Sequence, residues 1–214
     1  MARRTRAEAE ATRESLLDAA EQVFYDKGVA RATLQDIART AGVTRGALYW
    51  HFKDKADLFG AMLERVRMPL EDLIDAIPAG ERSESVLETL RMASLLALGQ
   101  MEQPRIRRIH SIIIHRCEVF GEFDPVAMLR ELSESASANT LELFRQARDN
   151  DELVAEVDAE TANQTFHCIL RGLLHHWHLD TDAYSLSETG TRLINQWFEL
   201  IGKASLKPAA RPGS

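Results

Sequence analysis

The chain contains very little cysteine. Cys117 and Cys168 are the only two among 214 residues, too few for the disulfide framework of a small secreted protein. The basic N-terminal residues are followed by Glu and Ala rather than by the apolar segment of a secretion signal. No apolar run approaches the roughly 18 residues that a membrane span needs. These absences predict a cytoplasmic protein without a membrane partner.

Recognisable enzyme motifs are also missing. We find no nucleophile elbow, no phosphate-binding loop and no zinc-protease pattern. The remaining route to an enzyme would be a catalytic use of the histidine-rich segments, and no motif supports it. We therefore predict no catalytic residues and no cofactor.

Strand-like alternation and internal repeats are absent, and every strong periodic signal is helical. The predicted fold class is all-α with about nine helices. Thr33, Thr44 and Asp54 have the side chains that cap helix N-termini, and Pro69 should kink or divide the helix that contains it. The helices are predicted at about 12–27, from 33, from 44, from 54 to about 77, and at about 84–102, 105–117, 125–149, 158–179 and 187–204.

The net charge of −7 is unevenly distributed. Residues 1–55 carry 10 Lys and Arg against 8 Asp and Glu, whereas the remainder carries 16 against 25. A slightly basic N-terminal segment on an acidic body fits a small anion-binding head. Random unevenness of a protein surface is the alternative.

The segment TRGALYWHFKDK, residues 44–55, follows a short helix and the Ala41-Gly42-Val43 turn. Two short helices joined by a glycine-containing turn form a helix-turn-helix, whose second helix can enter the DNA major groove. One arc of this second helix is polar and aromatic, and Ala47 and Leu48 lie opposite it. The residues of the arc are Arg45, Gly46, Tyr49 and Trp50. The alternative is that the aromatic residues pack helices together and the basic residues are solvated.

Glycine inside a helix costs about 1 kcal/mol relative to alanine, and close approach to a sugar-phosphate backbone is one reason to keep Gly46. Thr33 and Thr44 lie at helix N-termini, where unpaired N–H groups bind phosphates readily. Lys55 follows in the first turn of the next helix, where a cation opposes the helix dipole unless an anion compensates.

The block TLQDIARTAGVTRGALYWHFKDKADLF, residues 33–59, closely resembles the DNA-binding domain of the TetR family of bacterial repressors. The N-terminal segment together with TRGALYWHF looks most like the AcrR/TtgR branch, which represses genes for multidrug efflux pumps. The resemblance implies double-stranded operator DNA as a partner. It implies base or groove contacts for Arg45, Gly46 and Trp50, and phosphate contacts for Thr33, Thr44, Tyr49, His51 and Lys55.

The same resemblance implies a DNA-binding domain at 1–55 and a ligand-binding and dimerisation domain at 56–206. The segment KPAARPGS, residues 207–214, is predicted to be a disordered tail. Large apolar residues near the chain end are more than two helices can bury. In TetR-like proteins the equivalent helices form a four-helix bundle in a homodimer, although closing the core of the single chain is the alternative. The predicted dimer contacts are Leu173, Trp177, Ile194, Trp197, Phe198 and Ile201.

Polar groups occur in two apolar helices of the body. His110 lies beside an isoleucine stripe, and His167 and Arg171 are four residues apart. They either satisfy one another in a core or serve as the few polar groups of a ligand pocket. The resemblance implies a pocket for a small aromatic or hydrophobic inducer. It would be lined by Val66, Leu70, Met92, Leu96, His110, Ile113, Ile114, Cys117, His167, Leu170, Arg171 and Leu174.

An acidic residue is expected at position 171 from the closest family members, so Arg171 favours neutral or anionic ligands over cationic drugs. The predicted function is a TetR-like repressor of a multidrug efflux operon, and an aromatic ligand is expected to release it from DNA. The alternative is a related regulator of another operon that senses a different metabolite or a metal. Cys168, His175 and His178 could share a helix face, but their spacing is not that of a structural zinc site, so no metal site is predicted.

Overall fold

The computed structural model describes residues 6–117 and 124–203. In these ranges the regular elements are ten α-helices, and the only extended pairing is an isolated antiparallel bridge between Leu153 and Gly202. The all-α prediction is confirmed, with ten helices instead of about nine. The predicted tail at 207–214 lies outside the described residues. The helices are α1 (Arg6–Lys27), α2 (Leu34–Thr40), α3 (Arg45–His51), α4 (Lys55–Glu64), α5 (Leu70–Asp75), α6 (Val86–Met101), α7 (Pro104–His115), α8 (Pro125–Asp149), α9 (Ala159–Leu179) and α10 (Leu186–Ile201).

The three predicted caps of the N-terminal helices are confirmed. Thr33 and Asp36 form a reciprocal capping box at the start of α2. The Thr44 hydroxyl accepts the amide of Ala47 at 3.2 Å, and the Asp54 carboxylate caps α4 in the same way. Each cap satisfies an N–H group that has no partner inside its helix. The ends of α2, α3 and α4 are thus specified by local sequence.

The fourth helix does not run unbroken to about residue 77 but is divided before Pro69, one of the two outcomes that Pro69 predicts. Helix α4 ends at Glu64, and α5 begins only after Pro69. Pro69 has no N–H and disfavours helical backbone in the residue before it. Arg65 lies at the C-cap of α4, and its guanidinium hydrogen-bonds three carboxylates of α1, those of Glu14, Asp18 and Glu21. The end of α4 is therefore joined to α1.

The chain packs as two compact units, of which unit one comprises residues 1–67 and 103–131. Its core contains Phe24 of α1 and Phe59 of α4, whose rings meet edge to face at 5.8 Å. Helix α7 also belongs to this unit: Arg105 at its start bonds Asp18 of α1 at 2.9 Å. The predicted domain boundary at 55/56 thus falls inside a packed unit that also includes α4 and α7.

Unit two comprises residues 68–102 and 132–214. Its core is aromatic, with Phe166 stacked on Trp197 at 5.7 Å and edge to face against Phe144 at 5.8 Å. Helices α6 and α10 approach closely at Gly190, where an added Cβ would lie 2.9 Å from the Leu98 side chain. A larger residue at position 190 would force the Leu98 side chain to shift, because real Cβ contacts are not that short.

Two helix N-termini of unit two are bound by carboxylates that are far away in the sequence. Glu152 accepts the amides of Val86 and Leu87 at the start of α6, at 3.1 and 2.8 Å. Glu102, just after α6, accepts the amide of Leu186 at the start of α10 at 2.7 Å. Anions at these positions are stabilising because the N–H groups and the helix dipole both favour negative charge.

None of the helices in the described ranges combines the length and the hydrophobicity that crossing a membrane requires.

Candidate nucleic-acid interface and ligand-binding residues

Helix α3 has the two faces that its sequence predicts. Leu48 is fully buried, whereas Tyr49 and Trp50 are 45% and 71% exposed. Arg45 is exposed as well, and its guanidinium donates to the Tyr49 hydroxyl at 3.1 Å and lies 5.3 Å from the centre of the Tyr49 ring. A side chain as large as Trp50 is normally buried, so its exposure indicates a binding surface.

Gly46 is exposed on this same surface. A Cβ at this position would meet no heavy atom closer than the Thr44 hydroxyl, at 4.0 Å. The packing of the chain therefore does not require glycine at position 46, and the contact with DNA predicted for Gly46 stays a prediction.

The N-terminus of α2 already carries a carboxylate. The Thr33 hydroxyl donates to Asp36 at 2.8 Å, and hydrogen bonds from Lys27 and from Thr33 lower the Asp36 pKa to about 2. Lys27 and Arg39 form ion pairs with Asp36 at 2.8 and 3.0 Å, so its charge is compensated. The phosphate contact predicted for Thr33 stays a prediction, as does that for the exposed Thr44.

His51 is half-buried at the end of α3, and its ring lies edge to face with Trp50, at 4.6 Å between centroids. Its predicted phosphate contact also stays a prediction. Lys55 differs from expectation, because its ammonium is turned toward the protein. It donates to the backbone carbonyls of Val29, Ala30 and Ala32 at 2.9, 3.1 and 3.2 Å. This geometry argues against the phosphate contact predicted for Lys55.

Five of the predicted ligand contacts lie in unit one. Val66 is buried, and His110, Ile113, Ile114 and Cys117 are half-buried. Burial raises the pKa of the Cys117 thiol to about 12. The thiol is consequently protonated and acts as a small apolar group rather than as a nucleophile.

Seven predicted contacts lie in unit two. The five apolar ones, Leu70, Met92, Leu96, Leu170 and Leu174, are all half-buried. Leu70, Leu170 and Leu174 pack against the aromatic core. Half-buried apolar side chains of this kind can line a ligand site, because they are ordered by the core and still present surface.

His167 and Arg171 of α9 do not satisfy one another. The ring Nε2 of His167 lies 2.8 Å from the Thr140 hydroxyl of α8, whereas the exposed Arg171 donates to the Ser133 hydroxyl of α8. Burial lowers the His167 pKa, and the charge of Arg171 lowers it further. Neutral His167 and cationic Arg171 therefore bind neutral hydroxyl groups on a neighbouring helix.

The polar partners on α8 were not predicted from the sequence. Ser133, Ser137 and Thr140 follow one another at intervals of four and three residues and so share one face of the helix. Asn163 of α9 bonds two of them, accepting from Thr140 at 2.6 Å and donating to Ser137 at 2.9 Å. The spacing of small hydroxyl residues in α8 was the signal for this row.

The structure buries the predicted dimer contacts in the single chain. All six lie in the core of unit two and are at most 9% exposed in the single chain, and their contacts with a partner stay a prediction. They pack within the single chain because α6 and α8 cover the same faces of α9 and α10. The six are Leu173, Trp177, Ile194, Trp197, Phe198 and Ile201.

Other apolar residues of α9 and α10 are exposed. Leu179 is 65%, Leu193 39% and Leu200 76% exposed. Leu193 and Leu200 are seven residues apart, which places them on the same face of α10. Leu193 and Leu200 could not be recognised from the sequence, because polar residues surround them on their face of α10.

In the part of the chain that the structure describes, no three His, Cys, Asp or Glu side chains are grouped as a metal ion would require. Cys168 and His175 are exposed on α9. No geometry among the described residues supports the metal-sensing alternative.

Comparison with known proteins identifies the family. Residues 16–62 match the family described as bacterial regulatory proteins, tetR family. Residues 85–202 match the MAATS-type transcriptional repressor C-terminal region. The chain is 35% identical over 220 residues to the HTH-type transcriptional regulator TtgR of Pseudomonas putida, covering 99% of this chain and 100% of that protein.

Solved structures agree with this assignment. NalD, the secondary repressor of the MexAB-OprM multidrug efflux pump in Pseudomonas aeruginosa, superposes with a TM-score of 0.79 at 32% identity, covering 93% of this chain and 100% of that chain. A complex of SmeT, a Stenotrophomonas maltophilia repressor, with triclosan superposes with a TM-score of 0.74 at 27% identity, covering 95% and 98%. The chain therefore belongs to the TetR family of bacterial regulatory proteins, with the C-terminal region of the MAATS-type transcriptional repressors.

Proposed function

We propose that the protein is a homodimeric repressor of a multidrug efflux operon that leaves its operator when it binds a small aromatic or hydrophobic molecule. The observation that carries this proposal is the exposed surface of α3, where Arg45, Tyr49 and Trp50 project from a helix held by buried Leu48. The relation to NalD, a repressor of a multidrug pump, supports the choice of operon.

On DNA, the two α3 helices of a dimer enter successive major grooves of a pseudo-palindrome, about 34–36 Å apart. Arg45 can bond guanine in bidentate fashion, which is the commonest specific contact in the major groove. Its position over the Tyr49 ring restricts its conformations before DNA arrives, so less side-chain entropy is lost on binding.

The dimer forms through the exposed apolar surface of α9 and α10, which includes Leu179, Leu193 and Leu200. Burying a fully exposed leucine is worth about 1.5–3 kcal/mol, so Leu179 and Leu200, which are more exposed than Leu193, contribute most of this energy. The six predicted contacts, which lie in the core of unit two, hold α9 and α10 together.

The inducer binds the half-buried apolar residues of unit two, which are Leu70, Met92, Leu96, Leu170 and Leu174, with Arg171 as the charged contact. No salt bridge to Arg171 occurs within the described residues, and its hydrogen-bond partner there is the neutral Ser133 hydroxyl. A cation held in this way favours a neutral or anionic aromatic ligand, such as a phenol that can lose its proton. The SmeT complex with triclosan, a chlorinated phenol, supports this ligand class.

Ligand binding lifts repression by stabilising a conformation that cannot span the two half-sites. A ligand that favours this form by about 3 kcal/mol weakens operator binding about 150-fold. The ligand needs to bind the two forms with different affinities, since equal affinity would shift nothing.

The test measures fluorescence anisotropy of a labelled duplex from the DNA upstream of the protein's own gene. We expect binding that weakens steeply with salt and is reversed by phenolic and other aromatic compounds. Absence of salt-sensitive binding would contradict the repressor proposal, and binding that no aromatic compound releases would contradict the drug-sensing proposal. Arg171→Ala should weaken release by anionic compounds at least tenfold more than release by neutral ones; equal effects would exclude Arg171 as the charged contact.

A further inference from the structure

The side chain of Lys55 is bound by backbone carbonyls of unit one. Its ammonium group donates to three backbone carbonyls, those of Val29, Ala30 and Ala32, at 2.9, 3.1 and 3.2 Å. A lysine ammonium has three N–H donors arranged around one nitrogen, a geometry that suits three carbonyls grouped around it. Burial lowers the Lys55 pKa, which is consistent with an ammonium group partly withdrawn from water.

The three carbonyls belong to the short connection between α1 and α2, residues 28–33. This connection leads directly into α2, because Ala32 precedes the Thr33 cap. Its first residue, Gly28, has a φ of +80°, a backbone conformation that favours glycine. Carbonyls in such a connection lack helical partners, and Lys55 supplies the donors that they need.

The same connection is bound from its other side by α7. The amide of Val29 donates to the carbonyl of Arg116, the C-cap residue of α7, at 3.0 Å. The Val29 residue therefore donates toward α7 through its N–H group and accepts from Lys55 through its carbonyl. Lys55 is also only four residues beyond the end of α3 at His51, so one side chain links the start of α2 to the end of α3.

We propose that Lys55 is a positioning residue for DNA binding: it holds the α1–α2 connection, and through it the relative placement of α2 and α3, without contacting a phosphate. This inference rests on the proposed DNA binding. It reverses the role that family resemblance implies for Lys55. A phosphate contact would require the ammonium to give up carbonyls that it already binds, and those carbonyls would then need other donors.

Salt dependence separates the two roles. A side chain that neutralises a DNA phosphate releases counterions, and its loss lowers the magnitude of the slope of log K against log salt concentration by about 0.9. Loss of a positioning residue weakens binding at every salt concentration and leaves this slope unchanged. We expect Lys55→Met to weaken operator binding at least tenfold with an unchanged slope.

A second variant tests the geometry directly. Arginine keeps the charge, but its planar guanidinium cannot direct three donors at carbonyls arranged around a compact ammonium. We expect Lys55→Arg to lose affinity as Lys55→Met does. We also expect both variants to speed hydrogen exchange at the amides of Val29 and Ala32. Lys53→Met, at an exposed lysine two residues earlier, should leave exchange in residues 28–34 unchanged.

The opposite pattern would overturn the proposal. Wild-type affinity for Lys55→Arg, together with a slope reduced by about 0.9 for Lys55→Met, would establish a phosphate contact. Should Lys55→Met not fold, the Lys55→Arg affinity and nitrogen NMR of the Lys55 ammonium in the unmodified protein decide the matter. Slow exchange of the Lys55 ammonium protons with water, unchanged by operator DNA, supports positioning. A change in the NMR signal of this ammonium when DNA is added contradicts it. Failure of the unmodified protein to bind DNA would instead refute the proposed function.

Discussion

Replacement of Gly46 by alanine should raise stability and lower DNA affinity at the same time. Glycine within a helix costs about 0.5–1 kcal/mol relative to alanine. A Cβ at position 46 would lie 4.0 Å from its nearest neighbour, the Thr44 hydroxyl, so the added methyl group introduces no strain in the free protein. Gly46→Ala should therefore stabilise the fold by about 0.5–1 kcal/mol.

The assay combines thermal unfolding with DNA binding. For a chain of this length 1 kcal/mol corresponds to about 2–4 °C, so the midpoint should rise by about 1–4 °C. If glycine is kept for close approach to DNA, the methyl group occupies space that the sugar-phosphate backbone needs. We expect operator affinity to fall at least tenfold, which corresponds to about 1.4 kcal/mol.

Gly99 offers a matched control. It is an exposed residue within α6, and a Cβ there would have no neighbour within 4 Å. Gly99→Ala should raise the midpoint by a similar amount and leave DNA affinity unchanged. The reasoning is refuted if Gly46→Ala binds operator DNA with wild-type affinity, or if it lowers the unfolding midpoint.

Two further predictions concern unit two. Burial alone would raise the Glu152 pKa, but hydrogen bonds from the Leu87 amide and the Ser85 hydroxyl outweigh it and lower the pKa. Because the folded pKa lies below the unfolded value of about 4.3, this stabilisation is present above that pH and is lost as the pH falls through the folded pKa. Glu152→Gln should cost about 2 kcal/mol at pH 7 and progressively less below about pH 4; an equal cost at both pH values in urea unfolding would contradict this. Leu200 is 76% exposed in the single chain, so Leu200→Glu should leave the fold intact and convert the dimer to a monomer in sedimentation velocity. The control Val126→Glu, at a residue of unit one that is 40% exposed, should remain dimeric. A dimeric Leu200→Glu protein would exclude this surface as the dimer interface.

Much of the N-terminal fold could be predicted because its signals are local. A Thr or Asp cap interacts with an amide three residues away, so Thr33, Thr44 and Asp54 could be identified from the sequence. The two faces of α3 follow from helical periodicity alone. The division before Pro69 is likewise a local signal, whereas the contact of Arg65 with Glu14, 51 positions earlier in the chain, could not be predicted.

The candidate sites were harder to predict for the same reason. Periodicity shows that Trp197 and Phe198 share an apolar face, but it does not tell whether that face packs on the same chain or on a partner. A basic residue at a helix N-terminus suggests a phosphate contact, yet Lys55 binds carbonyls 23 to 26 residues earlier. Single-sequence patterns therefore identify which residues have special surroundings, whereas their partners depend on tertiary contacts.

The carboxylates of Glu152 and Glu102 have a consequence for how ligand preference can evolve. One binds the first amides of α6, and the other follows its last turn and binds the first amides of α10. Helix α6 is thus restrained against sliding along its axis at both ends, by groups remote from Met92 and Leu96. Substitutions at those two half-buried positions can reshape the adjoining surface while the helix keeps its place. Selection for new ligands can therefore act on single side chains of α6 without a compensating change in the fold.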